Sequence, residues 1–245
     1  MIPRGKIDIG WSDLLYGLGC CGWPGDRKRV QRKVEAFWSD RAGALACLSV
    51  RSGFDLLLQS YALPPGSEVL VSAITIRDMT RILEEHQLVP VPVDLDMKRL
   101  EVKPHCLERG LTPKTRALLV AHIFGSRMDL DPVAGFARQH QLLLIEDCAQ
   151  AYLGNDYRGH PDSDVAMFSF GPTKTNTALG GAVLRIQTPL SWKACARCKR
   201  ATRSRLGPHS LNVCVSTWSS KRSPIALRTP GLRNYSRQSE GPTTK

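Results

Sequence analysis

Through residue 186 the chain alternates short, uninterrupted apolar runs with amphipathic stretches, and that alternation leaves few folds open. Glu68-Val-Leu-Val-Ser72, Ala117-Leu-Leu-Val-Ala-His122, Leu142-Leu-Leu-Ile145 and Val165-Ala-Met-Phe168 are bounded by polar or turn-forming residues. A strand that is apolar at successive positions is buried on both faces. Helix-like stretches lie between and before these runs. Asp26 to Trp38 carries Val30, Val34 and Phe37 at spacings of four and three, and Ser52 to Leu63 opens on a capping-type serine and stops at Pro64-Pro65-Gly66. Arg77 to His86 and Asp131 to Gln139 complete the helical set. Val89-Pro-Val-Pro-Val93 reads as an extended edge segment, because proline cannot donate to a sheet ladder. The pattern predicts an α/β fold, a mainly parallel sheet flanked by helices.

Ligands of such sheets bind beyond the carboxyl ends of the strands. Three segments converge there: Glu146-Asp147-Cys148-Ala149-Gln150, Ser169-Phe170-Gly171-Pro172-Thr173-Lys174, and Arg51-Ser52-Gly53 at a helix start. Their chemistry is complementary to a phosphorylated nitrogen heterocycle. A helix N-terminus offers free amides and a positive dipole end to a phosphate. A carboxylate can keep a pyridinium nitrogen protonated, and a lysine can form a Schiff base with an aldehyde.

These pieces, with Pro65-Gly66-Ser-Glu68-Val-Leu-Val, Pro92-Val-Asp94, Thr112-Pro-Lys-Thr115, His122-Ile-Phe-Gly125 and Gly180-Gly181, resemble the DegT-type, or nucleotide-sugar, aminotransferases in kind and order. The resemblance covers about residues 1–186. It implies a large domain of the fold type I class, with pyridoxal 5'-phosphate as cofactor. By motif, Lys174 is the Schiff-base lysine and proton carrier, and Asp147 pairs with the pyridine nitrogen. Gln150 lies near the ring, while Ser52, Gly53 and Ser169 hold the phosphate; no metal is implied. The simpler alternatives are a solvated loop lysine at 174, a capping aspartate at 147, a polar loop residue at 150 and plain N-capping at Ser52. His122 is expected to be a strand-end packing residue.

Two positions depart from the family pattern. Phe54 stands where the family has the threonine of Ser-Gly-Thr, and Ile74-Thr75-Ile76 stands where an aromatic usually stacks on the ring. Both point to weaker cofactor affinity and leave the fold expectation unchanged. The resemblance implies amino transfer to a keto-sugar acceptor, with glutamate or glutamine as donor, in a homodimer whose sites lie at the subunit interface.

Charge separates the two ends of the chain. The formal net charge is +12, but residues 1–186 carry 22 basic and 21 acidic side chains, whereas residues 187–245 carry 12 basic residues and one acid, Glu240. The basicity therefore belongs to a tail, and no nucleic-acid partner is expected for the body. The tail lacks sustained periodicity and reads as a disordered extension. Cys195-x-x-Cys198, His209 and Cys214 follow a zinc-finger-like order with basic residues around them, but the apolar packing of a zinc or nucleic-acid module is missing. Shifted by one nucleotide, the codons of Trp192, Cys195 and Cys198 encode only Met, Leu or Val, at spacings suited to a helix. The tail is thus expected to be an out-of-frame product in place of the family's small C-terminal domain, with impaired activity as the consequence. No apolar run approaches the roughly 20 residues of a membrane span, and the N-terminus has no apolar signal segment. With eight cysteines read as reduced, a cytoplasmic protein is expected.

Overall fold

The computed structural model describes residues 9–23, 25–39, 43–152, 154 and 157–187. Of the expected tail, only Gln187 falls within that range, so its disorder and its zinc-like motif lie outside the described residues. Seven strands form one sheet: β1 (Gly43–Cys47), β2 (Glu68–Ser72), β3 (Val89–Val93), β6 (Thr115–Ala121), β7 (Leu143–Asp147), β8 (Val165–Ser169) and β9 (Ala182–Ile186). Their spatial order is β3-β2-β6-β7-β8-β9-β1. All neighbouring pairs from β3 to β8 are parallel, and β9 runs antiparallel to both β8 and β1. A separate two-stranded ribbon joins β4 (Leu95–Asp96) to β5 (Glu101–Val102). The expected mainly parallel α/β architecture is the observed one.

Side chains alternate across each strand, so each strand feeds two cores. On one face Val69, Val71, Leu119, Ile145, Met167 and Leu184 pack against α3 (Val50–Tyr61) and α4 (Arg77–Glu85). On the other, Leu70, Leu118, Val120 and Leu144 meet α5 (Pro104–Gly110) and α6 (Asp131–Gln139). Further along that second face, Ala166, Phe168 and Val183 meet Val34 and Trp38 of α2 (Arg27–Trp38). The expected third residue of the α2 stripe differs. Trp38 takes the buried position against Phe168, with ring centroids 4.7 Å apart, while Phe37 is exposed beneath the Arg158 guanidinium. Before α2, α1 (Trp11–Gly22) buries none of its residues.

The edge strand β3 tolerates two prolines because of its register. The Val89 amide donates to Ser67, and the Val93 carbonyl accepts from Ala73, so Pro90 and Pro92 present their missing donors to the open side. Helix α3 begins two residues before the expected Ser52. Ser49 is its cap: the Ser49 hydroxyl accepts the Ser52 amide at 3.1 Å, and the Ser52 hydroxyl accepts the Ser49 amide at 3.0 Å. The helix ends on Ala62 in the left-handed region, ahead of the expected Pro64-Pro65-Gly66 stop. Gly53 sets how closely α3 approaches the sheet, since a Cβ there would lie 2.3 Å from Leu184 Cδ1.

Candidate active site

The common direction of β1, β2, β3, β6, β7 and β8 brings six carboxyl ends to one edge, and the antiparallel β9 starts at that same edge. The segments that follow β1, β7 and β8 are the three singled out in the sequence. Those after β1 and β8 are joined through Gly181 by backbone hydrogen bonds. The Gly181 amide donates to the Leu48 carbonyl, and the Phe170 amide to Gly181, both at 3.0 Å. Thr177 then closes the loop after β8, its hydroxyl donating to the Gly171 carbonyl at 2.7 Å.

Asp147 is the last residue of β7 and is 7% exposed. Its Oδ1 accepts the Ala149 amide at 2.9 Å, and its carbonyl accepts the His122 amide at 3.0 Å. Burial raises its carboxyl above the ordinary range, and the Ala149 amide, the Lys174 ammonium and His122 act against that rise. A carboxylate in this condition gains most from a cationic N–H partner. Lys174 is half-buried in the loop after β8, with its amide bonded to Gly171. Its ammonium makes no hydrogen bond or ion pair among the described residues, although it acts on Asp147 through its charge.

Ser169 ends β8, paired in register with Ala182. Ser52 and Gly53 are already engaged within the first turn of α3. The Ser52 hydroxyl and amide belong to the capping box, and the Gly53 amide donates to the Ser49 carbonyl at 3.0 Å. Among the described residues the amides of Val50 and Arg51 have no acceptor, so the open donors lie one step earlier than the motif implies. The Arg51 guanidinium reaches across to Asp78 of α4 at 2.6 Å. Phe54, in the position of the family threonine, is fully buried in the core. Gln150 is exposed, and its Oε1 accepts the Phe124 amide at 3.1 Å, tying the loop after β7 to the loop after β6. Phe124 is itself left-handed, at φ 57°, and 73% exposed.

One buried carboxylate was given no role in the sequence reading. Glu146 is fully buried on the sheet face opposite Asp147, and its carboxylate is surrounded by donors. His122 Nε2 donates at 2.8 Å, the Cys148 thiol at 3.0 Å, the His160 amide at 2.8 Å and the Ser163 hydroxyl at 2.9 Å; the Tyr157 hydroxyl is the fifth. The Met128 amide donates to His122 Nδ1 at 3.1 Å, which leaves the ring proton on Nε2. Burial pushes the Glu146 carboxyl up, but the hydrogen bonds led by His122 outweigh it and hold the group at about 2. His122, Glu146 and Cys148 have ligand atoms within 4.8 Å of one another, a spacing that suits a metal. Burial, followed by the neighbouring Glu146, pushes the Cys148 thiol well above its ordinary value. It is therefore a protonated donor, whereas a metal needs the thiolate.

The group that fits this edge is pyridoxal 5'-phosphate. An unpartnered amine, a buried carboxylate short of a cation, open helix-start amides and a strand-end serine match its aldehyde, ring nitrogen and phosphate in turn.

Comparison with known proteins agrees. A family model described as the DegT/DnrJ/EryC1/StrS aminotransferase family matches residues 26–207, continuing past Ile186, where the recognisable motifs end. GDP-perosamine synthase of Caulobacter vibrioides is 32% identical over 177 residues, 69% of this chain and 47% of that protein. The dTDP-3-amino-3,4,6-trideoxy-alpha-D-glucose transaminase of Streptomyces venezuelae is 37% identical over 145 residues, 56% of this chain and 38% of that protein. Among solved structures, the aminotransferase from Psychrobacter cryohalolentis superposes with a TM-score of 0.67 at 25% identity, covering 77% of this chain and 50% of that one. The chain spans under half the length of both curated relatives.

Proposed function

This chain belongs to the DegT/DnrJ/EryC1/StrS aminotransferase family, and from that premise we propose that it transfers an amino group to the keto group of a nucleotide-linked sugar. Glutamate or glutamine is the donor in this reading, and the names of the relatives, a GDP-perosamine synthase and a dTDP-sugar transaminase, support a sugar acceptor. When bound, pyridoxal phosphate supplies an aldehyde that takes up the amino group and a ring that accepts the electron pair released at the donor carbon.

The chain's own residues do the rest. Lys174 Nζ would hold the cofactor's aldehyde end and, once free, would carry the proton of the donor carbon. The Asp147 carboxylate accepts a hydrogen bond from the ring nitrogen and keeps its proton in place. The Val50 and Arg51 amides and the Ser169 hydroxyl hold the phosphate, with Ser52 and Gly53 shaping the turn that presents them. Gln150, oriented by the Phe124 amide, lies beside the ring. For the keto-sugar acceptor the same Lys174 amine would return a proton to the carbon that receives the amino group.

The observation that carries this reading is the Lys174 amine, without a hydrogen bond or ion pair among the described residues, whose charge acts on the buried Asp147 carboxylate. Pyridoxal phosphate added to the full chain is expected to give a visible absorption band. Borohydride reduction should then fix the added mass on the Lys174 peptide, and Lys174→Ala should lose both. No band in the unaltered chain would sink the reading. A band without amino transfer from glutamate or glutamine would favour a cofactor-binding chain that does not turn over, a possibility raised by Phe54. A homodimer, measured by sedimentation, and a cytoplasmic location belong to the same reading. Among the described residues no helix is long and apolar enough to cross a membrane.

A further inference from the structure

Glu146 and Asp147 are consecutive on β7 and face opposite sides of the sheet, and only Glu146 is fully enclosed. The donors to its carboxylate come from three places: His122 at the end of β6, Cys148 just after β7, and Tyr157, His160 and Ser163 on the segment leading to β8. An ionised carboxylate has about four lone-pair sites, so five donors saturate it.

The enclosure continues outward. A Cβ on Gly159, at φ +92°, would lie 2.4 Å from the Ala166 Cβ and 3.2 Å from Glu146 Oε2, so that segment lies directly against the carboxylate. Arg185 of β9 holds it there by donating to the Arg158 carbonyl at 2.9 Å. The same cluster is tied to the strand end that carries Asp147. The His122 amide donates to the Asp147 carbonyl, and the Cys148 amide to the Met167 carbonyl of β8.

We propose that Glu146 is a positioning residue for Asp147. Its enclosed carboxylate locks the ends of β6 and β7 and the 157–163 segment into one unit on the reverse face, so that Asp147 meets the cofactor's ring nitrogen at a fixed height and angle. The inference rests on the role given to Asp147 above. The enclosure lies on the sheet face opposite the Asp147 side chain, so its effect is transmitted through the backbone of β7.

The test uses pyridoxamine 5'-phosphate, which binds without the Lys174 linkage, titrated into the full chain by its own fluorescence across the acid range. Glu146→Gln keeps the shape, removes the charge and turns an amide toward donors. Affinity per folded molecule should fall by about 10- to 100-fold, the range seen when outer partners of a bound group are removed. The acid midpoint of binding should also move to lower pH. Burial is the main cause of the raised Asp147 carboxyl and the negative Glu146 adds the smallest increment, opposed by the Ala149 amide, Lys174 from the loop after β8 and His122 after β6. A role confined to stability would change the folded fraction and leave both readings unmoved.

Should Glu146→Gln fail to fold, Tyr157→Phe and Ser163→Ala each remove a single donor and are expected to weaken binding by about tenfold or less. Unchanged affinity and midpoint in folded Glu146→Gln, or unchanged affinity in both single-donor variants, overturns the inference. If the unaltered chain does not bind pyridoxamine phosphate, the role of Asp147 falls together with it.

Discussion

Asp147 and Glu146 are adjacent carboxylates on one strand, and the sheet between their side chains gives them opposite chemistry. On the reverse face Glu146 has more donors than it needs and is held at about 2. On the obverse face the Asp147 carboxylate accepts one hydrogen bond among the described residues, from the Ala149 amide, and burial raises it. The first is finished as folded, and the second is left with a demand. A buried polar group normally finds its partners within the protein. An edge where a carboxylate and an amine both lack them is where a ligand can supply the missing interactions. Burial alone does not identify a site; incomplete satisfaction does.

Acid unfolding should separate the two faces most strongly. Glu146 titrates lower in the folded chain than the ordinary 4.5, so its stabilisation is complete above that value and is lost as pH falls toward about 2. The contribution is on the order of 3 kcal/mol. Asp147 works with the opposite sign: its raised carboxyl favours the protonated folded form, so falling pH relieves a cost. Denaturant midpoints measured down through the acid range should therefore fall more steeply in Asp147→Asn than in the unaltered chain. Parallel curves would erase the contrast.

Next in size is Gly53→Ala on the obverse face. The new methyl would overlap Leu184 and should cost about 1–3 kcal/mol. Urea unfolding with and without phosphate distinguishes packing from anion binding, because a packing defect costs the same in both. Smallest is Asp147→Asn near neutral pH, where the apo chain should change by less than about 1 kcal/mol or become more stable. Its affinity for pyridoxamine phosphate should nonetheless fall, and a large stability loss would mean that Asp147 is as structural as its neighbour.

The central strands were legible because burial on both faces leaves uninterrupted apolar runs at Glu68–Ser72, Ala117–His122 and Val165–Phe168. The edge strand β1, Gly-Ala-Leu-Ala-Cys, is short and lacks β-branched residues, so composition did not distinguish it from a turn. The start of α3 moved because Ser49 and Ser52 are both capping types, and only geometry decides which one caps. Motif resemblance located Asp147 and Lys174, whereas Glu146 was passed over although its register carried a signal. It lies two residues after Leu144 on the same face of β7, a charged side chain at a core position. Its donors come from residues 122 to 163, and sequence alone does not reveal that they gather around one carboxylate.

The placement of β9 bears on the order in which the molecule is made. Within the sheet β1 pairs with β9 alone, Gly43 against Ile186 and Cys47 against Ala182. A strand emerging early from the ribosome must therefore wait for one made much later, and this long separation slows docking. The turn after β1 begins α3, and its open amides belong to the proposed phosphate cradle. Strands β2, β3, β6, β7 and β8 can assemble among themselves first, but the segment enclosing Glu146 is fastened only when Arg185 of β9 arrives. The proposed phosphate cradle and the fastening beneath Asp147 are thus both completed by the same late strand.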